Sequence, residues 1–346
     1  MAQDNTVHQH RLFINKKEIE AQSSGALSIS GDGRINKLSI TVNDIDLQHD
    51  SLFNQEVEFY LGESNQDALP IFRGFVKRFT PSEKNVRIEA LDVRTLLAGQ
   101  DGIKITSTDE KNYDGKTAGQ LLYDLINDKI NYDKTIIDIN LLKDMDKPVS
   151  MTDFRGKNVD AYQTINSKIK SKIDDDDLEN PLTYFIDVKE GPQHSSIVIV
   201  KDKAITDVPS YTYSYDNGLE SIKHKEIHPP NTVYYNDGRV FEYTSRNSGQ
   251  VVTTIQEQED VAESRNLALK QLLLGEQEKK EIDISVSKGY DIGLGSIVFL
   301  DVDEDDVYGP HRVVGKNITF GTSIKCILKL NKKPIKLSDY VQRQQE

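Results

Sequence analysis

The sequence predicts a mixed, β-rich α+β protein, with two small antiparallel β-barrel domains and an α/β domain inserted between them. Three observations support this fold class. Short runs with an apolar residue at every second position fill the first and the last third of the chain, and such alternation is typical of strands with one buried face. Helical periodicity appears only in the middle third and in one later segment, and turns containing Gly and Asp separate the strands. Short strands of this kind favour small barrels or sandwiches.

The first β-barrel domain is assigned to residues 1–106. Its clearest alternating strands are residues 38–42 and 86–91. Between them lies a strand with apolar side chains on both faces, because Phe72 and Val76 share one side while an isoleucine and two further phenylalanines share the other. We therefore expect both faces of this strand to be covered, one by its own core and the other by another part of the assembly.

The inserted α/β domain is assigned to residues 107–203. Thr117 and Gln120 form a capping-box pair at the start of a helix. The apolar positions of this helix follow the spacing of an amphipathic helix and are Ala118, Leu121, Leu122, Leu125 and Ile126. The apolar stripe of a second predicted helix consists of Val159, Tyr162, Ile165, Ile169 and Ile173. Residues 184–188 and 196–200 are predicted to form a hairpin.

The second β-barrel domain is assigned to residues 204–335 and contains one helix. Asp237 and Gly238 stand between two runs of β-forming residues, which is a strong signal for a tight hairpin. Residues 260–275 have the capping pattern of a helix, and alternating strands follow it. Residues 336–346 are polar and are expected to form a C-terminal tail.

Composition narrows the class of protein. The chain of 346 residues has a single cysteine, Cys326, so it cannot contain an internal disulfide, and we expect this thiol to be a small buried hydrophobe. The amino terminus lacks the apolar stretch of a secretory signal, and no run approaches the length of a membrane span, so we expect a protein of the cytoplasm with no membrane anchor. The formal net charge of −13 argues against binding of nucleic acid through a general basic surface.

The sequence assigns no catalytic, cofactor-binding or metal-binding residue. Phosphate-binding glycine loops and the nucleophile elbow of hydrolases are both missing. One segment leaves an alternative open, because in a strand His224, Glu226 and His228 would share a face, and two imidazoles with a carboxylate could bind zinc. Two lysines interleave with this face, and the helical arrangement of zinc peptidases is not matched.

Two acidic runs and one aromatic run have simpler interpretations. Residues 301–306 fail the register of a calcium loop, because Asp306 and Arg312 occupy positions that need Gly and Glu, and we expect a solvated hairpin tip. Residues 174–177, four consecutive aspartates, are expected to end a helix and lie in solvent. The rings of the aromatic run are expected to pack against a neighbouring subunit rather than stack on sugars or bases; they belong to Tyr211, Tyr213 and Tyr215.

The order of these elements over residues 10–332 resembles the baseplate hub proteins of tailed phages and contractile injection systems, including the late control protein D type. No single motif is diagnostic, but their order and spacing together are specific. The matching segments are 72–76, 86–90, Asp92 with Leu96 and Leu97, the helix and hairpin of the middle third, 231–234, Asp237 with Gly238, 262–273 and 293–298 with the turn at Gly309.

The resemblance implies a structural virion protein without enzymatic activity or cofactor. By this resemblance, three subunits would form a ring at the tip of the tail. Six tube-like barrels, two from each subunit, would face the hexameric tail tube, and the threefold face would receive the central spike. The partners implied are two further copies of the chain, the tail tube protein, a separate spike protein and other baseplate proteins. Three copies would carry a charge of −39, three times −13, so DNA could pass the lumen without specific binding. The implied location is the virion tail, assembled in the host cytoplasm. The alternative is a tail-associated cell-wall hydrolase or metallopeptidase.

Overall fold

The computed structural model describes the chain in segments. They are residues 10–19, 23–31, 34–43, 52–61, 69–98, 104–105, 117–129, 137–144, 159–160, 162, 184–201, 207–226, 232–235, 239–242, 252–254, 280–289, 291–303 and 307–331. The described part is β-rich, as the sequence predicts, and contains one α-helix. Most of its strands belong to one large sheet that is almost entirely antiparallel, and within the described residues this sheet does not close into a barrel.

Seven strands form the first strand set, which covers the first third of the chain. They are β1 (His10–Ile14), β2 (Lys17–Glu18), β3 (Ser23–Ser30), β4 (Lys37–Val42), β5 (Glu56–Leu61), β6 (Phe72–Pro81) and β7 (Val86–Asp92). The alternation noted in the sequence is realised, because Leu38, Ile40 and Val42 of β4 are all buried. Phe72 and Val76 face the main core while Phe75 packs against the smaller core, so both faces of β6 are covered as expected.

The middle third contributes short strands and the helix. They are β8 (Lys104–Ile105), α1 (Ala118–Lys129), β9 (Ile137–Asp138), β10 (Val159–Asp160), β11 (Tyr184–Glu190) and β12 (Ser195–Lys201). The capping box is confirmed, since the backbone N–H of Gln120 donates to Thr117 Oγ1 over 3.1 Å and the backbone N–H of Thr117 donates to Gln120 Oε1 over 3.2 Å. The predicted hairpin is confirmed as β11 and β12. The prediction of a second helix is wrong at its start, because Val159 pairs with Ile105 in a strand.

Nine further strands follow. They are β13 (Tyr211–Tyr213), β14 (Leu219–Glu226), β15 (Thr232–Tyr235), β16 (Arg239–Glu242), β17 (Val252–Thr254), β18 (Lys280–Val286), β19 (Ile297–Leu300), β20 (Gly309–Phe320) and β21 (Lys325–Leu330). Strands β15 and β16 pair as the predicted hairpin, with Tyr235 opposite Arg239. The predicted helix at 260–275 and the tail at 336–346 lie outside the described residues. The second strand set consists of β13, β14 and β18 to β21.

The two strand sets repeat one pairing pattern. In the first set β3 pairs with β4, β4 with β7, β7 with β6, β6 with β5, and β5 with β1. In the second set, β14, β18, β21, β20, β19 and β13 pair in the same succession. The last pair differs in direction, since β1 runs antiparallel to β5 while β13 runs parallel to β19.

The repeat extends to register. The long strand of each set carries a register shift at the same place relative to its neighbour, between Val76 and Arg78 in β6 and between Val313 and Gly315 in β20. Buried residues of β4 correspond to buried residues of β18, which are Ile282, Ile284 and Val286. The duplicated pattern expected from the sequence is thus present in the strand pairing.

The two sets join through one strand pair that the sequence does not indicate. The second half of β20, from Gly315 to Phe320, pairs antiparallel with β3 from Ser30 back to Gly25. This pair makes the two sets one continuous sheet with β14 at one end and β2 at the other. A single large core runs beneath both sets.

The hairpin of β11 and β12 lies between two cores. Phe185 belongs to the main core, whereas Ile186 and Ile197 belong to a second core built around α1. Because successive side chains of a strand point to opposite faces, this arrangement buries both faces of the hairpin. No α-helix of the described residues is long and apolar enough to cross a membrane.

Candidate functional site

Arg73 is fully buried in the first half of β6, and its charge is balanced by acidic residues of the neighbouring strand β5. Its Nε donates to Glu58 Oε1 over 2.8 Å, and Nη2 lies 2.8 Å from the same oxygen. Glu56 Oε1 lies 3.6 Å from Nε. A buried guanidinium needs such partners, because an unpaired charge in the interior is strongly unfavourable.

The same arginine holds the turn between β11 and β12. Its Nη1 donates to the carbonyl oxygen of Gly191 over 3.4 Å and its Nη2 to that of Pro192 over 3.5 Å. The backbone N–H of Arg73 donates to Glu190 Oε1 over 3.1 Å, while Ser195 Oγ donates to Glu190 Oε2. Burial raises the pKa of Glu190 to about 7, although the hydrogen bond from Ser195 and the charge of Arg73 act in the opposite direction.

A second buried arginine, Arg94, lies just beyond the end of β7. Asp92 caps the short 3₁₀ turn there, accepting from the backbone N–H of Arg94 over 2.9 Å and pairing with its guanidinium at 2.6 Å. Asp92 Oδ2 also accepts from the backbone N–H of Asn36 over 2.7 Å. Arg94 Nη1 donates to the carbonyl oxygen of Ile186 over 2.7 Å. Burial lowers the pKa of Arg94, but the charge and hydrogen bond of Asp92, together with Tyr162 and Asp187, outweigh it and hold the pKa above its ordinary value.

A third buried cation, Lys316, lies on β20 of the second strand set. Lys316 is 7% exposed, and its Nζ donates to the carbonyl oxygen of Ile292 over 3.0 Å. Burial lowers the pKa of Lys316, and Cys326, Asp291 and Asp187 oppose this effect. Burial likewise raises the pKa of Asp187, and Arg94 and Lys316 lower it. Both cations therefore favour the charged form of Asp187.

These groups make a buried ionic junction, defined here by Arg73, Glu190, Arg94, Asp92, Asp187 and Lys316. Its hydrogen bonds and ion pairs fix the hairpin of β11 and β12 against the first strand set. Sequence reasoning missed it, although one signal was present: the strand at 72–76 was expected to be covered on both faces, which places Arg73 inside. The arrangement neutralises charge and satisfies backbone groups, and its geometry suits positioning rather than a reaction.

An open cleft of about 420 Å³ lies where β3 and β4 meet the end of β20. Hydroxyl and amide side chains dominate its lining, including Ser23, Thr41, Asn43 and Thr319. Its position at the junction of the strand sets follows from the pairing of β20 with β3.

The residues considered for zinc are only partly within the described chain. His224 lies on β14 opposite Ile282, and its side chain is exposed. Glu226 is the last residue of that strand, and His228 lies outside the described residues. Across the part of the chain that the structure describes, there is no group of three His, Cys, Asp or Glu side chains that could hold a metal ion.

The tyrosines of the aromatic run do not share one environment. Tyr213 is fully buried in the main core and its hydroxyl donates to the carbonyl oxygen of Lys288 over 3.0 Å. Tyr211 packs against Tyr213 with ring centroids 4.5 Å apart, whereas Tyr215 is 57% exposed. The expectation of a shared intersubunit surface therefore does not hold for Tyr213, because it packs within its own chain.

The acidic runs are placed in part. Asp301 and Asp303 are exposed in the connection between β19 and β20, which agrees with a solvated tip. Residues 304–306 and the aspartates at 174–177 lie outside the described residues.

Comparison with known proteins gives similarity in structure and none in sequence. No protein-family model matches the chain, and no curated protein matches it. A tail protein from Neisseria meningitidis MC58 matches with a TM-score of 0.64 at 12% identity, covering 96% of this chain and 98% of that one. The 43 kDa tail protein of prophage MuSo2 from Shewanella oneidensis matches with a TM-score of 0.63 at 10% identity, covering 94% and 97%. The chain has the fold of phage tail proteins.

The same fold extends to secretion machinery. A component of the type VI secretion system of E. coli matches with a TM-score of 0.51 at 11% identity, covering 93% of this chain and 76% of that one. The resemblance inferred from the order of motifs is thus confirmed at the level of the fold.

Proposed function

We propose that this protein is a non-enzymatic structural protein of the virion tail, a trimeric hub that joins the hexameric tail tube to the central spike. The observation that carries the proposal is the duplicated strand pattern, because three copies of a chain with two equivalent strand sets supply six equivalent surfaces. A sixfold tube can then meet a threefold spike without a mismatch in symmetry. The fold shared with phage tail proteins supports the same role.

The division of labour within the chain follows from this proposal. Residues 1–106 and 204–335 would form the tube-like barrel domains, completed by neighbouring copies, and residues 107–203 the inserted domain. The buried ionic junction would keep the hairpin of β11 and β12 fixed while the strand sets bear load from the tube and spike. Rigid coupling of this kind suits a protein that transmits force through a tail.

The charge of the chain fits a channel for DNA. Three copies carry −39, three times −13, and a lumen of this sign repels the phosphate backbone, so DNA can slide without sticking. A ring whose inner wall is predominantly basic would contradict this part of the proposal. The remaining partners are other baseplate proteins, and assembly would take place in the host cytoplasm.

Light scattering of the full chain tests the proposal, alone and mixed with the tail tube and spike proteins from the same tail. The expected mass of the ring is about 118 kDa, three times 39.2 kDa. Mixtures should also yield larger complexes containing the tube or spike protein. A chain that stays at 39.2 kDa and binds neither protein would overturn the hub.

A further inference from the structure

Among the described residues, two strands join the strand sets, the second half of β20 and the outer edge of β3. Asn317 lies opposite Ser28, and Thr319 lies opposite Ala26. In the first half of β20 the same edge is occupied by β19, with Ile297 opposite Arg312. The long strand thus pairs with its own set first and with the other set second.

Each of these two strands has an equivalent in the other set. Strand β6 corresponds to β20, and its first half pairs with β5 in the same way, with Glu56 opposite Phe75. Strand β14 corresponds to β3, because each is the first strand in the pairing succession of its set and pairs with the second, β18 or β4. The strand registers also identify equivalent residues. Thr80 of β6 is equivalent to Asn317 of β20, and Lys225 of β14 is equivalent to Ser28 of β3.

The equivalent edges have no strand beside them among the described residues. Strand β14 ends the path of the sheet, and β18 is its one neighbour there. Beyond Val76, which bonds with the loop at Asn54 and Gln55, the second half of β6 pairs with β7 alone. Arg78 and Thr80 of β6 are exposed, and so are most residues of β14, namely Glu220, Ser221, Lys223, His224 and Lys225.

We infer that β14 of one copy pairs antiparallel with the second half of β6 of the next copy, with Lys225 opposite Thr80. This pair would repeat between copies the joint that β3 and β20 make within one chain. The inference rests on the proposed ring and names the surfaces that close it. Because the two surfaces differ, the contact is head to tail, and such contacts form a closed ring when the rotation at each joint divides a full turn.

The edge residues fit a regulated contact. Exposed lysines on β14 and a proline at the end of β6 are features that keep an open sheet edge from pairing indiscriminately. Pro81 has no N–H to donate, so it ends the stretch that can pair. The strand that contains His224, β14, would thus serve as a contact between copies.

Disulfide cross-linking of the full chain tests the register. Thr80→Cys and Lys225→Cys replace exposed side chains, and the native Cys326 is 1% exposed and should stay silent. After mild oxidation, a mixture of the two single variants should give a covalent pair of about 78 kDa, twice 39.2 kDa. Either variant alone should give none, since a head-to-tail contact never brings two copies of one edge together. The double variant should close into covalent trimers.

Ser221→Cys provides a matched register control on the same exposed edge. It lies four residues from Lys225, about 13 Å along a strand, which is beyond the reach of a disulfide. Mixed with Thr80→Cys, it should cross-link at least about tenfold less than Lys225→Cys. A ring of about 118 kDa (three times 39.2 kDa) in which Lys225→Cys links no better than Ser221→Cys would overturn the strand pairing and leave the hub intact. A chain that remains monomeric with tube and spike proteins, and gives no cross-link, would overturn both.

Discussion

Arg94 donates a hydrogen bond of 2.7 Å from Nη1 to the backbone carbonyl oxygen of Ile186, a residue 92 positions later in the chain. The contact ties the end of β7 to the hairpin of β11 and β12. Asp92 neutralises the guanidinium at 2.6 Å, and both side chains are excluded from solvent. One charged pair therefore connects the first strand set to the middle of the chain, and the stability of that connection can be measured.

Replacing Arg94 with methionine should lower the free energy of unfolding by about 3–5 kcal/mol, because Asp92 is then left as an unpaired buried charge. Urea unfolding of the full chain measures the loss. Arg87→Met is the matched control: Arg87 is 64% exposed and pairs with Glu89 at 3.5 Å, so its loss should change stability by less than about 1 kcal/mol. Equal effects of the two substitutions would contradict the buried ionic junction.

Glu190 should make stability depend on pH. Its pKa is raised from 4.5 to about 7, so the folded state binds more protons than the unfolded state between these values. The free energy of unfolding contributed by this group is therefore largest below pH 4.5 and is lost as pH rises through 7. Glu190→Gln keeps two hydrogen-bonding partners and cannot ionise. Relative to the wild type, the variant should gain about 2 kcal/mol between pH 5 and pH 8.

Urea unfolding at both pH values checks the effect of Glu190. Glu83→Gln is a suitable control, since Glu83 is exposed at the tip of the hairpin of β6 and β7. The control should follow the wild type at each pH. Parallel curves for wild type and Glu190→Gln would show that the carboxyl of Glu190 ionises normally.

Gly25 should be intolerant of a side chain. A Cβ at this position would overlap the carbonyl oxygen of Ser39 and stand 2.9 Å from both the Cα of Ile40 and the ring of Phe320. Gly25→Ala should thus push β3 away from its neighbours at the joint of the strand sets and destabilise the chain by about 1–3 kcal/mol. Gly293→Ala is the control, because the nearest atom to its Cβ is Ser296 Oγ at 3.8 Å. Thermal unfolding compares them, and equal midpoints would contradict the close approach.

Cys326 should be chemically silent in the folded protein. Its side chain is 1% exposed, and burial raises the pKa of the thiol to about 11, so little of the reactive thiolate forms at neutral pH. A thiol reagent should label it at least about 100-fold more slowly than an exposed cysteine, as in Thr80→Cys, and quickly after unfolding. Rapid labelling of the folded wild type would show that solvent reaches Cys326 and would contradict its burial.

Purified protein should contain no stoichiometric zinc. His224 is an exposed side chain on β14. The residues before and after it in the sequence are lysines, whose positive charge disfavours binding of a metal cation. Elemental analysis of wild type and His224→Ala checks this, with a cell-wall clearing assay beside it. Zinc that is present in the wild type and lost in the variant would revive the metallopeptidase alternative.

Local structure could be predicted from the sequence. Alternation in β4 and β7, the capping box of Thr117 and Gln120, and the hairpin of β11 and β12 depend on neighbours within a few residues, so their signals are readable in order along the chain. Burial of Cys326 followed from its place in an alternating strand. The order of these elements sufficed to indicate the fold of phage tail proteins. The prediction that the second helix begins at Val159 was wrong, because Val159 pairs in a strand with Ile105, which is distant in sequence.

How the parts are joined depends on contacts between distant segments of the folded chain. The pairing of β20 with β3 brings together residues almost three hundred positions apart, and backbone hydrogen bonds of this kind carry no signature in either strand. Arg73, Arg94 and Lys316 would each be expected on the surface from their type alone. They can be buried because carboxylates and carbonyl oxygens from other segments accept their hydrogen bonds. These partners come together when the chain folds, so the sequence alone does not reveal them.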